Sequence, residues 1–320
     1  MLQPGGLQAA PVRIAGRRRG GVQREFGQQS HTVDGMRVCV VGSINSDLIF
    51  IVERIPPPGA TVLASSLVYA PGGKGANQAI AAARAGADVQ FVGAVGDDSV
   101  AAALLTHLRA NGLATDAVST VPGPSGTAVV IVDATAENAI VAAPGANSHL
   151  TLDSDVARRW VTECDVLLLQ LEVPLPTVLE AARLARRSGA TVVLNASPVP
   201  GAVGPLADVA ALVDVVIVNE SEAEHWQWPV PHLVVTRGAR GASYIGVEHA
   251  FDVPAPAVAA VDTTGAGDVF AGVLAASWGD GPDRALRRAC TAAALATLVP
   301  GAGNCAPTEQ AIAIAEQTSS

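Results

Sequence analysis

Short apolar runs rich in β-branched residues, each followed by a segment of helical pattern, constrain the fold of this chain more than any other feature of its sequence. The first run, residues 37–42 (RVCVVG), ends in glycine and is typical of a strand buried on both faces of a parallel sheet. Further runs occur at 89–95, 166–170, 191–195 and 215–218. The alternation predicts an open parallel α/β sheet, in which ligands bind beyond the carboxyl ends of the strands.

Two groups of strand-like segments interrupt this alternation. Residues 61–69 form one group, and residues 118–120, 127–132 and 139–142 form the other. They predict one small antiparallel sheet over the ligand-binding end of the main sheet. Such a flap would exclude water from a reaction beneath it.

Charge and cysteine content exclude several classes of partner. A net charge of −9 offers no basic surface to nucleic acid or to an anionic membrane. The four cysteines are widely spaced and form no CxxC pair, which argues against disulfide or zinc frameworks. We therefore expect a reducing, cytoplasmic location.

The two ends of the chain are expected to lie outside the folded domain. Residues 1–35 are rich in Gly, Gln and Arg, and they lack both apolar periodicity and the apolar core of a signal peptide. We expect a disordered extension there, with a basic arm or a transit peptide as alternatives. The α/β domain is predicted to span residues 36–310, followed by a tail at 311–320.

The segment 261–274 gives the strongest indication of chemistry. Its turn, Gly265-Ala266-Gly267, leads into an apolar helix from about residue 266 to 277, and the glycines allow a ligand to approach the backbone. The free N–H groups at a helix start favour anions. Asp268 adds a carboxylate, which is expected where a phosphoryl group is stabilised beside a hydroxyl that loses its proton. The alternative is a tight strand-to-helix turn with Asp268 as a first-turn acid.

Polar side chains suited to a polyhydroxy ligand follow the first strand. Asn45 and Asp47 lie two residues apart, so in extended backbone they face the same way; an Asx turn is the alternative. Downstream, Gly73, Lys74 and Asn77 stand at the start of an Ala-rich helix. The segment is no Walker A loop, because glycine follows the lysine, and it lacks the GxGxxG spacing of a dinucleotide site.

A third group of polar residues suits a nucleotide. Asn219 and Glu222 are three apart at a helix start and share a face, although a capping box explains the same spacing. The strand at 233–236 runs into a glycine-bearing turn at 237–241 (RGARG). A turn of this kind is suited to a nucleotide.

Four motifs in this order resemble the ribokinase-type (pfkB-type) family of carbohydrate kinases, which includes fructokinase and adenosine kinase. They are 42–47 (GSINSD), 72–78 (GGKGANQ), 219–224 (NESEAE) and 262–268 (DTTGAGD). The resemblance covers residues 37–308. It implies a Rossmann-type α/β/α three-layer domain with a β-sheet lid, formed by about 50–69 and 126–142, through which such proteins often form a homodimer.

The resemblance also implies roles for individual residues. Asp268 would be the catalytic base, with Gly265, Ala266 and Gly267 as the anion hole. The sugar would contact Asn45, Asp47, Gly73, Lys74, Asn77, Glu172 and Asp268. ATP would contact Asn219, Gly267 and the segment Thr236, Arg237, Gly238, Ala239, Arg240 and Gly241, with Glu222 helping indirectly to position Mg²⁺.

An activating monovalent cation, K⁺, is the last ligand that the resemblance implies. The matching positions are Asp262, Thr264, Ala296, Val299, Gly301 and Cys305. Cys305 departs from the family, where Ser is usual, and sulfur is a poorer ligand for a hard cation. A second departure is the short segment 225–232, where Trp226 and Trp228 would cover exposed core.

The function implied by the resemblance is transfer of the ATP γ-phosphoryl group to the primary (O5) hydroxyl of a pentose, D-ribose first. Deoxyribose, fructose and nucleosides such as adenosine stay open as acceptors. A non-catalytic sugar-binding regulator would have no need of Asp268 beside an anion hole. A nicotinamide dehydrogenase is disfavoured because GxGxxG is missing after the first strand.

Overall fold

The computed structural model describes residues 35–135, 138–198 and 206–318. Apart from Gly35, the predicted N-terminal extension lies outside these ranges. The strands are β1 Arg37–Val41, β2 Asn45–Ile51, β3 Ser66–Gly72, β4 Asp88–Gly96, β5 Val118–Val121, β6 Gly126–Val132, β7 Asn138–Ala143, β8 Val166–Leu169, β9 Thr191–Asn195, β10 Val215–Asn219, β11 His232–Thr236, β12 Ala242–Gly246 and β13 Ala250–Val253. The α-helices are α1 Lys74–Arg84, α2 Ala101–Ala110, α3 Asp155–Glu163, α4 Leu175–Ser188, α5 Leu206–Ala210, α6 Glu220–Ala223, α7 Ala266–Ser277, α8 Pro282–Ala296 and α9 Glu309–Thr318.

Nine of these strands form the central sheet, in the order β13-β12-β11-β10-β9-β8-β1-β4-β5. All neighbours pair in parallel except β11 with β12 and β12 with β13, which are antiparallel. Val38 and Val40 pack into the core that holds α1, α7 and α8, while Cys39 and Val41 pack into the core that holds α3 and α4. Burial of both faces explains why β1 reads as a continuous apolar run, and the predicted α/β/α architecture is confirmed.

The lid is a separate four-stranded sheet, ordered β3-β2-β6-β7. We predicted an antiparallel sheet, which is wrong for its centre, because β2 and β6 pair in parallel. Only three residues separate β1 from β2, so the lid begins at Asn45 rather than near residue 50. Strand β5 was grouped with the lid by its pattern, yet it pairs with β4 at the edge of the central sheet.

The C-terminal segment continues the domain. Residues 311–320 were expected to form a tail, but α9 spans Glu309–Thr318 and Ile312 is fully buried against the core beside α1 and α8. At the short segment 225–232, Trp226 donates its Nε1–H to Trp228 O (2.8 Å) and both rings pack on the core of the α3 and α4 layer. No helix in the described ranges is long and apolar enough to cross a membrane.

Candidate active site

Asn45 and Asp47 lie on β2, where the lid strand leaves the central sheet. Both side chains are largely buried, and Asn147 donates from Nδ2 to Asn45 Oδ1 (2.8 Å). Gly72 faces them on β3, and a Cβ built there would lie 2.0 Å from Asp47 Oδ2. Glycine at position 72 therefore leaves the space that the Asp47 carboxylate occupies.

Asp47 carries the largest electrostatic anomaly of the site. Burial, followed by the charges of Glu172 and Asp268, raises the pKa of Asp47 to about 7. Its Oδ1 atom is buried and has no hydrogen-bond partner among the residues that the structure describes. A desolvated carboxyl with a free oxygen is a candidate binding group for a polar ligand.

Glu172 ties the loop after β1 to the start of α1. Its Oε2 atom accepts from Ser43 Oγ (2.5 Å) and from the backbone N–H of Lys74 (3.2 Å). Gly73 precedes the helix with φ 93°, and a Cβ there would lie 2.8 Å from Asn45 N. The backbone of the two loops can thus approach only because residue 73 is glycine.

Asp268 lies in the first turn of α7 and meets the polar pocket from the other side. It is 8% exposed, and its Oδ2 atom accepts from Asn77 Nδ2 (3.0 Å). The charge of Asp268 also acts on Asp47 and Lys74. The structure therefore brings Asp268 together with the residues predicted to hold the sugar.

Lys74 is the cation of this group. Burial lowers the pKa of Lys74, but the charges of Asp268, Glu172 and Glu222 outweigh burial, so its pKa lies above the ordinary value. Lys74 therefore stays protonated at neutral pH. It can donate hydrogen bonds or stabilise negative charge.

A cleft of about 800 Å³ opens on the opposite side of the α7 start. Most of the residues predicted for ATP line it: Asn219, Thr236, Arg237, Gly238, Ala239, Gly241 and Gly267. A Cβ built at Gly267 would meet no atom within 4 Å, so this backbone faces open space. The 265–267 turn consequently separates the polar pocket from the cleft.

Two residues predicted for the nucleotide side have protein partners instead of free side chains. Arg240 is absent from the cleft lining, and its Nη2 pairs with Glu220 Oε1 (2.5 Å). Glu222 Oε2 accepts from Asn219 N, while Asn219 Oδ1 accepts from Glu222 N (both 2.8 Å). The capping box that competed with a ligand role is therefore present at the start of α6.

Of the positions predicted for a monovalent cation, Ala296 ends α8 and the other five lie on two loops that contact each other. Asp262 accepts from Thr264 N (2.9 Å) and from Gly301 N (2.8 Å), which joins the loops. These bonds outweigh the effect of burial and lower the pKa of Asp262. The thiol of Cys305 points at Ala302 O (3.3 Å), and burial raises its pKa to about 11. The neutral thiol acts as a donor here, so it offers no anionic ligand.

Several site residues were missed by the sequence reasoning. They are Asn147 behind Asn45, the buried amides Gln78, Gln170 and Asn195 behind Asp268, and the apolar cleft residues Ala255, Pro256, Ala257, Val258, Phe270, Cys290, Ala293 and Ala294. Gln170 follows β8 directly and Asn195 ends β9. Their polar side chains at the carboxyl ends of neighbouring parallel strands were a usable signal.

Comparison with known proteins agrees with this geometry. Residues 36–309 match the family model described as pfkB family carbohydrate kinase. Ribokinase of Bacillus subtilis (strain 168) is 36% identical over 289 residues, covering 86% of this chain and 97% of that protein. Deoxyribokinase of Salmonella typhimurium is 35% identical over 261 residues, covering 75% of this chain and 85% of that protein.

A solved structure extends the likeness to three dimensions. Arabidopsis thaliana ribokinase complexed with ribose and ATP superposes with a TM-score of 0.78 at 28% identity, covering 88% of this chain and 99% of that one. The chain belongs to the pfkB family of carbohydrate kinases, phosphotransferases that act on a hydroxyl group.

Proposed function

We propose that this kinase transfers the γ-phosphoryl group of ATP to the O5 hydroxyl of D-ribose, with Asp268 as the base. The observation that carries the proposal is the position of the α7 start. Asp268 is bonded to Asn77 in the polar pocket, while the adjacent Gly267 lines the cleft. A sugar hydroxyl on one side and a phosphoryl group on the other would meet at this turn.

Asp268 contributes as a late proton acceptor. An ordinary aspartate has a pKa near ~4 and cannot remove a proton from an alcohol in the ground state. In a loose phosphoryl-transfer transition state it accepts that proton as the new bond forms. A positioned acid–base group of this kind contributes about 10²–10⁴-fold in rate.

The backbone of Gly265, Ala266 and Gly267 would stabilise the transferred group. N–H groups at the start of α7 have no acceptors within the helix and carry its positive end. The Ala266 N–H makes a long bond to Thr263 O (3.3 Å) in the preceding turn, which a phosphoryl oxygen would replace. Such preorganised donors commonly contribute about 10²–10³-fold each. Gly265 has φ 81°, and a Cβ built on it would lie 2.7 Å from Ala302 Cα, so this position requires glycine.

ATP would lie in the cleft, with its adenine among the apolar residues 255–258 of the lining. Mg²⁺ usually keeps several waters and binds through one or two carboxylates plus phosphate oxygens. Glu222 fits that role because one of its oxygens is held by Asn219 N. It would act on Mg²⁺ through water, which helps neutralise the charge developing on the phosphates.

A monovalent cation is proposed on backbone carbonyls alone. Five of the six positions, Asp262, Thr264, Ala296, Val299 and Gly301, would offer main-chain oxygens of the kind that hard cations prefer. Cys305 does not fit as a ligand, because its neutral thiol donates toward a carbonyl. When bound, K⁺ would add positive charge beside the anion hole.

A coupled ADP-release assay tests the function directly. The enzyme is supplied with MgATP and a panel of D-ribose, 2-deoxy-D-ribose, fructose and adenosine, each with and without K⁺. We expect the highest kcat/KM with D-ribose. The similar identity to a deoxyribokinase, 35% against 36% for the ribokinase, makes 2-deoxy-D-ribose the second candidate. A higher kcat/KM for that sugar would replace ribose as the proposed acceptor.

Asp268→Asn tests the assignment of the base. We expect turnover to fall by at least about 10²-fold, with the sugar dissociation constant, measured by calorimetry, changed little. Near-normal turnover would contradict the role of Asp268. An ADP release rate that does not increase when any sugar of the panel is added would contradict the kinase proposal itself.

Dimerisation through the lid is proposed from its exposed apolar side chains. Val68 and Tyr69 on β3, and Ile140 and Val141 on β7, are 48–70% exposed. Side chains of this kind on edge strands favour pairing with another sheet, and a second copy of the lid would cover them. Sedimentation velocity should give a dimer that Val141→Glu dissociates, whereas a 32.2 kDa monomer at micromolar concentration would refute the dimer.

A cytoplasmic location is proposed because all four cysteines are buried free thiols.

A further inference from the structure

A chain of buried amides lies behind the Asp268 carboxylate. Gln78 is fully buried on α1 and donates from Nε2 to Asp268 Oδ1 and to Asn195 Oδ1 (both 3.0 Å). Its Oε1 atom accepts from Gln170 Nε2 (2.8 Å). Asn195 in turn donates from Nδ2 to the main-chain oxygen of Ile217 on β10 (3.3 Å). One side chain thus links the carboxylate to the ends of three strands.

The polarity of this chain follows from the carboxylate. An ionised carboxylate only accepts hydrogen bonds, so the amide nitrogen of Gln78, rather than its oxygen, must face Asp268. The Gln78 oxygen then requires a donor, which Gln170 supplies, and Asn195 must turn its own nitrogen toward Ile217. A flipped Gln78 amide would place two acceptors against each other. The Gln78 amide is therefore oriented with its nitrogen toward Asp268, and within the described ranges Gln170 Oε1 is the network atom left buried without a hydrogen-bond partner.

The arrangement also determines how the carboxylate is held. Asn77 binds Oδ2 and Gln78 binds Oδ1, so the plane of the Asp268 carboxyl is fixed at both oxygens. Each oxygen keeps one further lone pair for a ligand hydroxyl. Asn77 lines the predicted sugar pocket and could change partners when a ligand enters, whereas Gln78 is fully buried and has no such freedom.

We propose that Gln78 is the positioning residue for the base, holding the Asp268 carboxylate against the strand ends so that it faces the sugar hydroxyl. This inference rests on the proposed role of Asp268. A carboxylate misplaced by about 1 Å can cost about 10²-fold in rate. Residues that are locked by a supporting shell of hydrogen bonds keep that geometry.

Gln78→Glu is the sharpest test, because it replaces the donating nitrogen with an oxygen of the same size. The introduced carboxyl and that of Asp268 would have to share one proton, since two close carboxylates cannot both ionise. We expect the acid limb of the kcat pH profile to move up by about one pH unit or more. Lys74, Asp47 and Cys305 also interact with the charge of Asp268, and all three are unchanged in this variant.

Gln78→Met provides the second arm if the charged variant does not fold. It removes the donor while keeping side-chain length, so kcat should fall about 10²-fold with the sugar dissociation constant within a factor of three of the wild type. Gln90→Glu is the matched control, a Gln→Glu change near the start of β4, at the opposite end of the strands from the site. It should leave the kcat pH profile unshifted whatever its effect on the melting temperature.

The outcomes separate this inference from the function it rests on. If Asp268→Asn is inactive while both Gln78 variants keep wild-type kcat and an unshifted acid limb, Gln78 has no positioning role. If Asp268→Asn itself keeps turnover, the base assignment fails first. Loss of kcat in both Gln78 variants with unchanged sugar affinity supports the proposal.

Discussion

The sugar-free wild type should lose stability as the pH rises because Asp47 must ionise in a buried site, and Asp47→Asn should remove that loss. The pKa of Asp47 rises from 3.8 to about 7 in the folded state because of burial and the charges of Glu172 and Asp268. A carboxyl whose pKa is raised by folding contributes stability below its unfolded pKa and loses it as pH rises to the folded pKa. At 1.36 kcal/mol per unit of pKa, the total loss reaches about 4 kcal/mol once the pH exceeds the folded pKa.

Urea denaturation at intervals from pH 4.5 to 8.5, without sugar, measures this effect. The free energy of unfolding at each pH is obtained by linear extrapolation for the wild type and for Asp47→Asn. The pH-independent consequences of the substitution cancel when differences between pH values are compared. Between pH 4.5 and pH 8.5 the difference curve should rise by about 3 kcal/mol in favour of the variant, and it should level off above pH 7. Since the three carboxylates are coupled, the curve belongs to the cluster.

Asp98→Asn is a control with the opposite sign. Asp98 accepts from Ser125 N (2.7 Å), Ser125 Oγ (2.9 Å) and Ala101 N (3.1 Å), and these bonds outweigh burial and lower its pKa. Its stabilising contribution is present above the unfolded pKa and is lost as pH falls. Asp98→Asn should therefore lose its disadvantage toward acid pH. Parallel curves for the wild type and Asp47→Asn across the whole range would refute the reasoning about Asp47.

Three further perturbations test other parts of the site. Asn147→Ala removes the donor to Asn45 and two bonds to Ile44; the sugar KM should rise at least tenfold with the ATP KM unchanged, and the unfolding free energy should fall by about 1–3 kcal/mol, as read from steady-state kinetics and urea denaturation. Cys305→Ser offers a hard oxygen to the proposed cation, so half-activation in a K⁺ titration should need less K⁺. Gly241→Ala should raise the ATP KM and lower the melting temperature, because residue 241 has φ 89° and its Cβ would lie 2.0 Å from the Val253 carbonyl on β13. An unchanged ATP KM would show that this turn tolerates a side chain.

The central sheet could be predicted from the sequence because each strand reports its own burial. After its first residue, strand β1 is apolar and fully buried, and its neighbour β8 (VLLL) is apolar throughout, a pattern that requires helices on both faces. Pairing in the lid is different. Asn45 lies opposite Gly126, and Asp47 opposite Ala128, although more than seventy residues separate each pair. Alternation within one strand says nothing about the direction of so distant a partner.

The site residues also divide into those that local sequence indicates and those that only the folded structure brings together. Asp268, Asn77 and Asp47 lie in short motifs whose residue types already suggest their chemistry. Gln78, Gln170 and Asn195 meet only after α1, β8 and β9 have packed, and each alone is an ordinary polar residue. The positions of Gln170 and Asn195 at adjacent strand ends could have been read together. The orientation of the amides, by contrast, depends on the carboxylate at the end of the chain of hydrogen bonds.

The raised pKa of Asp47 fits a division of charge across the α7 start. Three carboxylates, Asp47, Glu172 and Asp268, lie on the pocket side together with Lys74, whereas Arg237, Gly267 and the glycine-bearing turn that follows β11 line the cleft. A neutral sugar can satisfy the carboxylates through its hydroxyls without adding charge. A phosphate placed there would meet them at short range, where the repulsion is large. The arrangement therefore favours a polyol in the pocket and a nucleotide phosphate in the cleft. In the free enzyme, ionising the buried Asp47 lowers the stability of the fold until a sugar hydroxyl binds to it.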